Sequence, residues 1–299
     1  MTTSTEFSIA EIERATGISR DILRVWERRY GFPSPLRNQR GERVYSEGQL
    51  SRLMLLKQLL DSGMRPGKII MLDDQQLREL TLPAKQASAV PAEVEELLET
   101  LASGLGHELL PRLEALLQQQ GLSDFLTELV APANQAVGDA WFAGRIGIVD
   151  EHHYAEQVRR VLTRALDGLP QGTGSPRVLL TTLPGEEHGI GLLMVACMLC
   201  LEGAEALSLG VQTPLEEIVR GAVQGKVSVV GISCSEYMGR RTILAQLSRL
   251  RKMLPEGIAI WAGGSGVSTI RFLPDGIRLF SDLRQIPQAI KSVHYVTPA

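Results

Sequence analysis

Arg177-Val-Leu-Leu-Thr-Thr-Leu-Pro-Gly-Glu-Glu-His-Gly-Ile-Gly191 reads as a strand, a loop and the first turn of a helix. Val178 to Leu183 is an almost unbroken apolar and β-branched run, Pro184-Gly185 stops it, and an apolar stretch from Ile190 to Leu201 follows. A strand that is hydrophobic on both sides belongs to a sheet covered on both faces. The alternation then repeats to the end of the chain. Ala206–Leu209, Val227–Ser233, Ile258–Ala262 and Gly276–Phe280 are further short apolar runs. Helical stretches at 190–201, 215–223, 240–253 and 283–293 separate them. Strand and helix in turn predict a doubly wound, flavodoxin-like parallel sheet over 172–299. Ligands of such sheets bind beyond the carboxyl ends of the strands.

Upstream the period is helical. Glu93 to about Leu169 is Leu-rich, with breaks near Gly104-Gly106, Gly121 and Gly144-Gly147, which predicts a four-helix bundle over 93–171. A polar, Pro- and Ala-containing linker is expected at 81–92. Residues 1–80 form a third region. Ser8-Ile-Ala-Glu11 is a capping box, Thr16-Gly17 ends that helix, and Ser19 can cap the next. Ile22, Val25 and Trp26 give this second helix an apolar face, while Arg20, Arg24 and Arg28 line another. Trp26 and Tyr30 are expected in the core. Arg37 to Tyr45 suggests a two-stranded wing, and Ser46-Glu-Gly-Gln49 is a second capping box.

Charge divides along the same line. Between Arg14 and Lys57 stand ten basic and four acidic residues, a local charge of +6; with the whole chain at −3, the remainder carries −9. A basic head on an acidic body suggests a polyanion for one domain and a different partner for the other. The composition, 44% hydrophobic and 22% charged, excludes a mostly disordered chain. No apolar run approaches the ~20 residues of a membrane span. The N-terminus has no secretory pattern, and three cysteines make no disulfide framework, so a reduced cytoplasmic protein is expected. Cys197-Met-Leu-Cys200 lacks a second ligand pair and is not expected to hold zinc.

Phe7-Ser-Ile-Ala-Glu-Ile, Thr16-Gly-Ile-Ser19, Leu23-Arg-Val-Trp-Glu-Arg-Arg-Tyr-Gly31 and Arg43-Val-Tyr45 together resemble the MerR-type winged helix-turn-helix. The resemblance implies double-stranded promoter DNA as partner. It implies contacts from Ser19, Arg20, Arg24, Arg28, Arg29, Arg37, Arg40, Arg43 and Tyr45. In the C-terminal region, Glu186-Glu-His188-Gly-Ile-Gly191 is followed after 41 residues by Ser233-Cys-Ser235 and after 27 more by Gly263-Gly264. This resembles the cobalamin-binding pattern, with Ser235 where the family has Leu. It implies His188 as axial ligand of cobalt, oriented by Glu186. Gly191, Ser233, Gly263 and Gly264 would lie along the nucleotide tail.

Trp141, followed after nine residues by Glu151-His152, resembles the light-sensing CarH/LitR group of MerR-type regulators. The resemblance implies that Trp141, Glu151 and His152 cap adenosylcobalamin. Well-understood members carry a His directly after the Trp. Phe142 stands there in this chain and cannot ligate a metal; His152 or His153 remains as a candidate. The expected protein is therefore not an enzyme but a DNA-binding regulator, a repressor, forming a homo-oligomer (dimer or tetramer) governed by adenosylcobalamin and light, with no membrane association. One alternative keeps the fold but senses another corrinoid, a tetrapyrrole or a partner protein without light. A corrinoid enzyme or carrier would need a substrate domain that the sequence does not contain.

Overall fold

Two reciprocal hydrogen bonds start the first helix. In a computed structural model of the chain, Ser8 Oγ accepts from Glu11 N (3.3 Å) and Glu11 Oε2 from Ser8 N (2.6 Å). The structure describes residues 6–61, 64–81, 90–104, 106–170, 174–235, 238–268, 270 and 273–293. Its contacts divide the chain into two compact units. One holds the described residues of 1–89 with Asp139–Ile148, the other those of 90–138 and 149–299.

In the first unit, β1 (Glu6–Ser8) leads into α1 (Ile9–Thr16). Ser19 Oγ accepts from Ile22 N (3.4 Å) and caps α2 (Arg20–Tyr30). β2 (Leu36–Arg37) and β3 (Arg43–Ser46) follow, then α3 (Glu47–Asp61), α4 (Pro66–Ile69) and α5 (Asp74–Thr81). The wing has three strands rather than two, because β1 pairs antiparallel with β3 in the order β1-β3-β2. The second capping box is half made. Ser46 Oγ accepts from Gln49 N (3.3 Å), but the Gln49 amide turns to the Ser34 backbone, accepting from its N (3.1 Å) and donating to its O (2.9 Å). The core gathers Ile12, Leu23, Trp26, Tyr45, Leu50, Leu53, Leu56, Ile69 and Leu77. Of the three apolar residues expected on one face of α2, only Trp26 enters that core. Ile22 and Val25 remain 45% and 42% exposed, and Leu23 takes the inward position instead. Residues 82–89 of the expected linker lie outside the described residues.

The helical region is built from α6 (Ala92–Ala102), α7 (Leu109–Gln120), a continuous run of α8 (Leu122–Asp124), a π-helical turn (Phe125–Val130) and α9 (Ala131–Phe142), and then α10 (Ile148–Asp167). These are the four expected helical runs. Beyond them come β4 (Arg177–Thr182), α11 (Ile190–Leu201), β5 (Glu205–Gly210), α12 (Leu215–Gln224), β6 (Val229–Ser233), α13 (Arg240–Met253), β7 (Ala259–Gly263), β8 (Ile277–Phe280) and α14 (Ile286–Ser292). All five strands run parallel in the order β5-β4-β6-β7-β8. Helix α11 packs beside α14, and α12 beside α13. This is the flavodoxin-like order, and it reverses direction between β4 and β6, which opens a crevice at their carboxyl ends. No helix among the described residues is long and apolar enough to cross a membrane.

Candidate functional site

The loop that leaves β4 is shaped from beneath by two buried threonines. Thr182 Oγ1 donates to Glu186 O (2.6 Å) and accepts from Gln212 N (2.8 Å), while Thr181 Oγ1 donates to Gly210 O (2.9 Å). Glu186 is thereby held inward, 2% exposed. A buried carboxylate is costly unless it is fully hydrogen-bonded, and this one is well supplied. Its Oε1 meets His188 Nδ1 at 2.6 Å and accepts from His188 N (3.0 Å); its Oε2 accepts from Ser235 N (2.8 Å) and Ser235 Oγ (2.6 Å). Burial pushes the Glu186 pKa up, but the hydrogen bonds from His188 and Ser235 and the His188 charge outweigh it, leaving the carboxyl below its ordinary value. Burial likewise pulls His188 down, and the bond to Glu186 with the charges of Glu186, Glu151 and Glu187 brings it above its ordinary value. The His188 ring itself stands 53% exposed. With Nδ1–H donated to a carboxylate, Nε2 is the nitrogen that could ligate a metal.

Gly191, Ser233, Gly263 and Gly264 come together at the same end of the sheet. Ser233 pairs with Thr182 on one side and Gly263 on the other. A Cβ on Gly191 would stand 2.5 Å from Ser233 Oγ, so the first turn of α11 lies against β6 only because no side chain intervenes. Gly264 has φ +102°, and a Cβ there would meet Cys234 O at 2.3 Å. Ser235 was not anticipated as a site residue. Its sequence signal is the hydroxyl that replaces the family's Leu, and its role depends on β6 lying next to β4.

Helix α10 brings a second carboxylate–imidazole pair. Glu151 Oε2 meets His152 Nδ1 at 2.5 Å, with the imidazole 72% exposed. His153, by contrast, is turned to the bundle, with Nε2 2.7 Å from Gly106 O. α10 is tied to α9 and α11. Tyr154 donates to Asn134 Oδ1 (2.9 Å), whose Nδ2 reaches Met194 Sδ (3.5 Å), and one end farther on Cys197 Sγ reaches Leu162 O (3.6 Å). Glu151 lies close enough to the His188 loop for its charge to help raise the His188 pKa. Trp141 is 5% exposed and belongs to the first compact unit. The side chain of Phe142 lies outside the described residues.

In the head, the expected DNA-facing residues fall into two groups. Arg24, Arg28, Arg29, Arg37 and Arg40 are exposed, as are Ser19 and Arg20. Arg20 is braced by Glu13 (2.5 Å) and Arg24 by Asp21 (3.4 Å). Arg37 donates to Gly41 O (2.6 Å) and holds the wing turn. Arg43 is different: it makes a two-point pair with Glu27 (2.9 and 3.4 Å) that joins β3 to α2, and that bond raises its pKa. Tyr45 corrects the expectation. It is 1% exposed, a core residue with no surface to offer a polyanion. Arg52, one of the ten basic residues, is partly buried and tied to Asp74 Oδ1 (2.5 Å) and to Leu72 O (2.6 Å).

Three family models match the chain. A MerR HTH family regulatory protein model covers residues 7–76, and two B12 binding domain models cover 93–165 and 176–274. Among curated relatives, the chain is 30% identical over 272 residues to the HTH-type transcriptional repressor CarH of Myxococcus xanthus, covering 83% of this chain and 85% of the relative. It is 27% identical to the HTH-type transcriptional repressor CarA of the same organism, covering 75% of each. Among solved structures, the Methanosarcina barkeri monomethylamine corrinoid protein is similar in fold, with a TM-score of 0.52 at 21% identity, over 65% of this chain and 94% of that one.

Proposed function

Because the chain belongs to the CarH-like MerR-type transcriptional regulators with B12-binding domains, a family of regulators rather than enzymes, we propose that it is an adenosylcobalamin-controlled repressor. It binds double-stranded promoter DNA as a homo-oligomer, and light changes its assembly. The observation that carries this reading is the Glu186–His188–Ser235 cluster at the crevice between β4 and β6. A cobalt corrinoid suits that cluster: one imidazole with a fixed tautomer, and a glycine-lined edge where Gly191 leaves no room for a Cβ.

When bound, adenosylcobalamin supplies a cobalt–carbon bond that light cleaves. His188 would hold the cobalt through Nε2, and Glu186 would keep the Nδ1 proton in place. Ser233, Gly263, Gly264 and Gly191 would border the nucleotide tail. Glu151 and His152 would border the same cofactor from α10. A ligand shifts an equilibrium only by its different affinity for the two states. Residues from both α10 and the β4 loop would supply that difference, since each contributes to holding one group.

A second reading is favoured by Phe142, which puts no imidazole after Trp141. On it, the same regulator senses another corrinoid, a tetrapyrrole or a partner protein without a light response. Visible spectra and light-scattering mass of the full chain loaded with adenosylcobalamin, in the dark and after illumination, separate the two. A changed spectrum with a changed mass supports the photoreceptor. A chain that binds adenosylcobalamin but keeps its mass under light is a corrinoid sensor instead.

A further inference from the structure

Ile22 and Val25 occupy an unexpected position. They are the i and i+3 residues of the first turns of α2, and they point away from the core that Leu23 and Trp26 enter. Single exposed apolar residues are ordinary. These two are set among charges: the other outward residues of the helix are Arg20, Asp21, Arg24, Arg28 and Arg29, all exposed. A protein partner covering this apolar pair would also have to bury guanidinium groups, at a large desolvation cost. A polyanion does the opposite, since its phosphates meet the arginines while its interior meets the apolar pair.

The arginines alone cannot select a sequence, because phosphate contacts fix register and orientation but carry no base information. In the helix-turn-helix arrangement, base edges are met by the N-terminal residues of the second helix, where Ile22 and Val25 stand. The apolar feature of the major groove is the thymine 5-methyl group. Resting on the DNA-binding reading, we propose that Ile22 and Val25 are specificity-determining residues that pack against thymine methyls in the major groove.

The test uses the full chain and a duplex that it enriches from a randomised pool. Each dT of the enriched half-site is replaced in turn by dU, which removes the methyl and keeps base pairing. At one or two positions, wild type should weaken about fourfold, the order expected for one buried methyl. Val25→Ala or Ile22→Ala should weaken binding to the dT duplex by a similar factor and no longer distinguish dT from dU at that position. Both should keep wild-type salt dependence. Equal wild-type affinity for dT and dU at every position overturns the assignment, as does an enriched half-site without thymine. Variants that keep full dT/dU discrimination while losing self-association overturn it too, and assign the pair to a protein interface. A chain that enriches no duplex at all overturns the DNA-binding reading and this assignment with it.

Discussion

Glu186 concentrates the chemistry of the crevice in one side chain. It is buried, yet it accepts from two backbone and two side-chain groups. Glu186→Gln keeps the shape but replaces one acceptor oxygen by a donor and removes the charge that holds the His188 Nδ1 proton. Partners behind a metal ligand typically matter 10–100-fold, and corrinoid affinity should fall by about that factor in an absorbance titration, with the fold intact by circular dichroism. Unchanged affinity would remove Glu186 from the site. His153 invites a second test, because its ring is committed to Gly106 O. His153→Ala should leave the wild-type illuminated spectrum unchanged. A spectral change in His153→Ala would show that the ring leaves Gly106. The Glu186–His188 pair was legible in sequence because both residues lie in one loop at a fixed interval. Ser235 was not, since its hydroxyl reaches Glu186 across 49 positions. Nor was the burial of Tyr45, because the Arg-Val-Tyr run looks exposed until β1 pairs with β3.

Helices and strands were more legible than contacts. The alternation of apolar runs and helical stretches beyond residue 172 matches five strands and four helices, because the runs are short and rich in β-branched residues while the helical stretches between them are longer. Helix caps were legible where the partner is local, as at Ser8, and misread where it is not, as at Gln49. Ser8→Ala should cost about 1 kcal/mol in chemical denaturation. Glu11 adds a sign: hydrogen bonds from the Ser8 side chain and backbone lower its pKa. Its contribution is therefore present above the unfolded carboxyl value and lost as pH falls through the lowered folded one. The difference between wild type and Ser8→Ala should shrink in acid; a constant difference would contradict the box. Where α10 meets α9, Tyr154→Phe leaves Asn134 Oδ1 without its donor. A polar atom stranded in this way costs about 1–3 kcal/mol. The loss should appear as a lower denaturation midpoint, and an unaltered midpoint would mean that water replaces the phenol.

At the scale of the whole molecule, the split of charge was readable from sequence, but the number of cations available was not. Arg43 and Arg52 are consumed as partly buried struts, so the effective polyanion surface is narrower than ten residues suggest. A single small head makes few phosphate contacts, and affinity for a specific site should need at least two heads on repeated half-sites. On the proposed function, one imidazole in the α/β region governs what the basic head does. The most direct measurement is DNA affinity and mass of the full chain, wild type and His188→Ala, each incubated with adenosylcobalamin in the dark and then illuminated. Dark, loaded wild type should form the larger assembly and bind its duplex tightly, light should reverse both, and His188→Ala should take up little corrinoid and respond to neither treatment. Stoichiometric corrinoid uptake by His188→Ala, or a wild type whose assembly and DNA affinity ignore the cofactor, would contradict the proposed function.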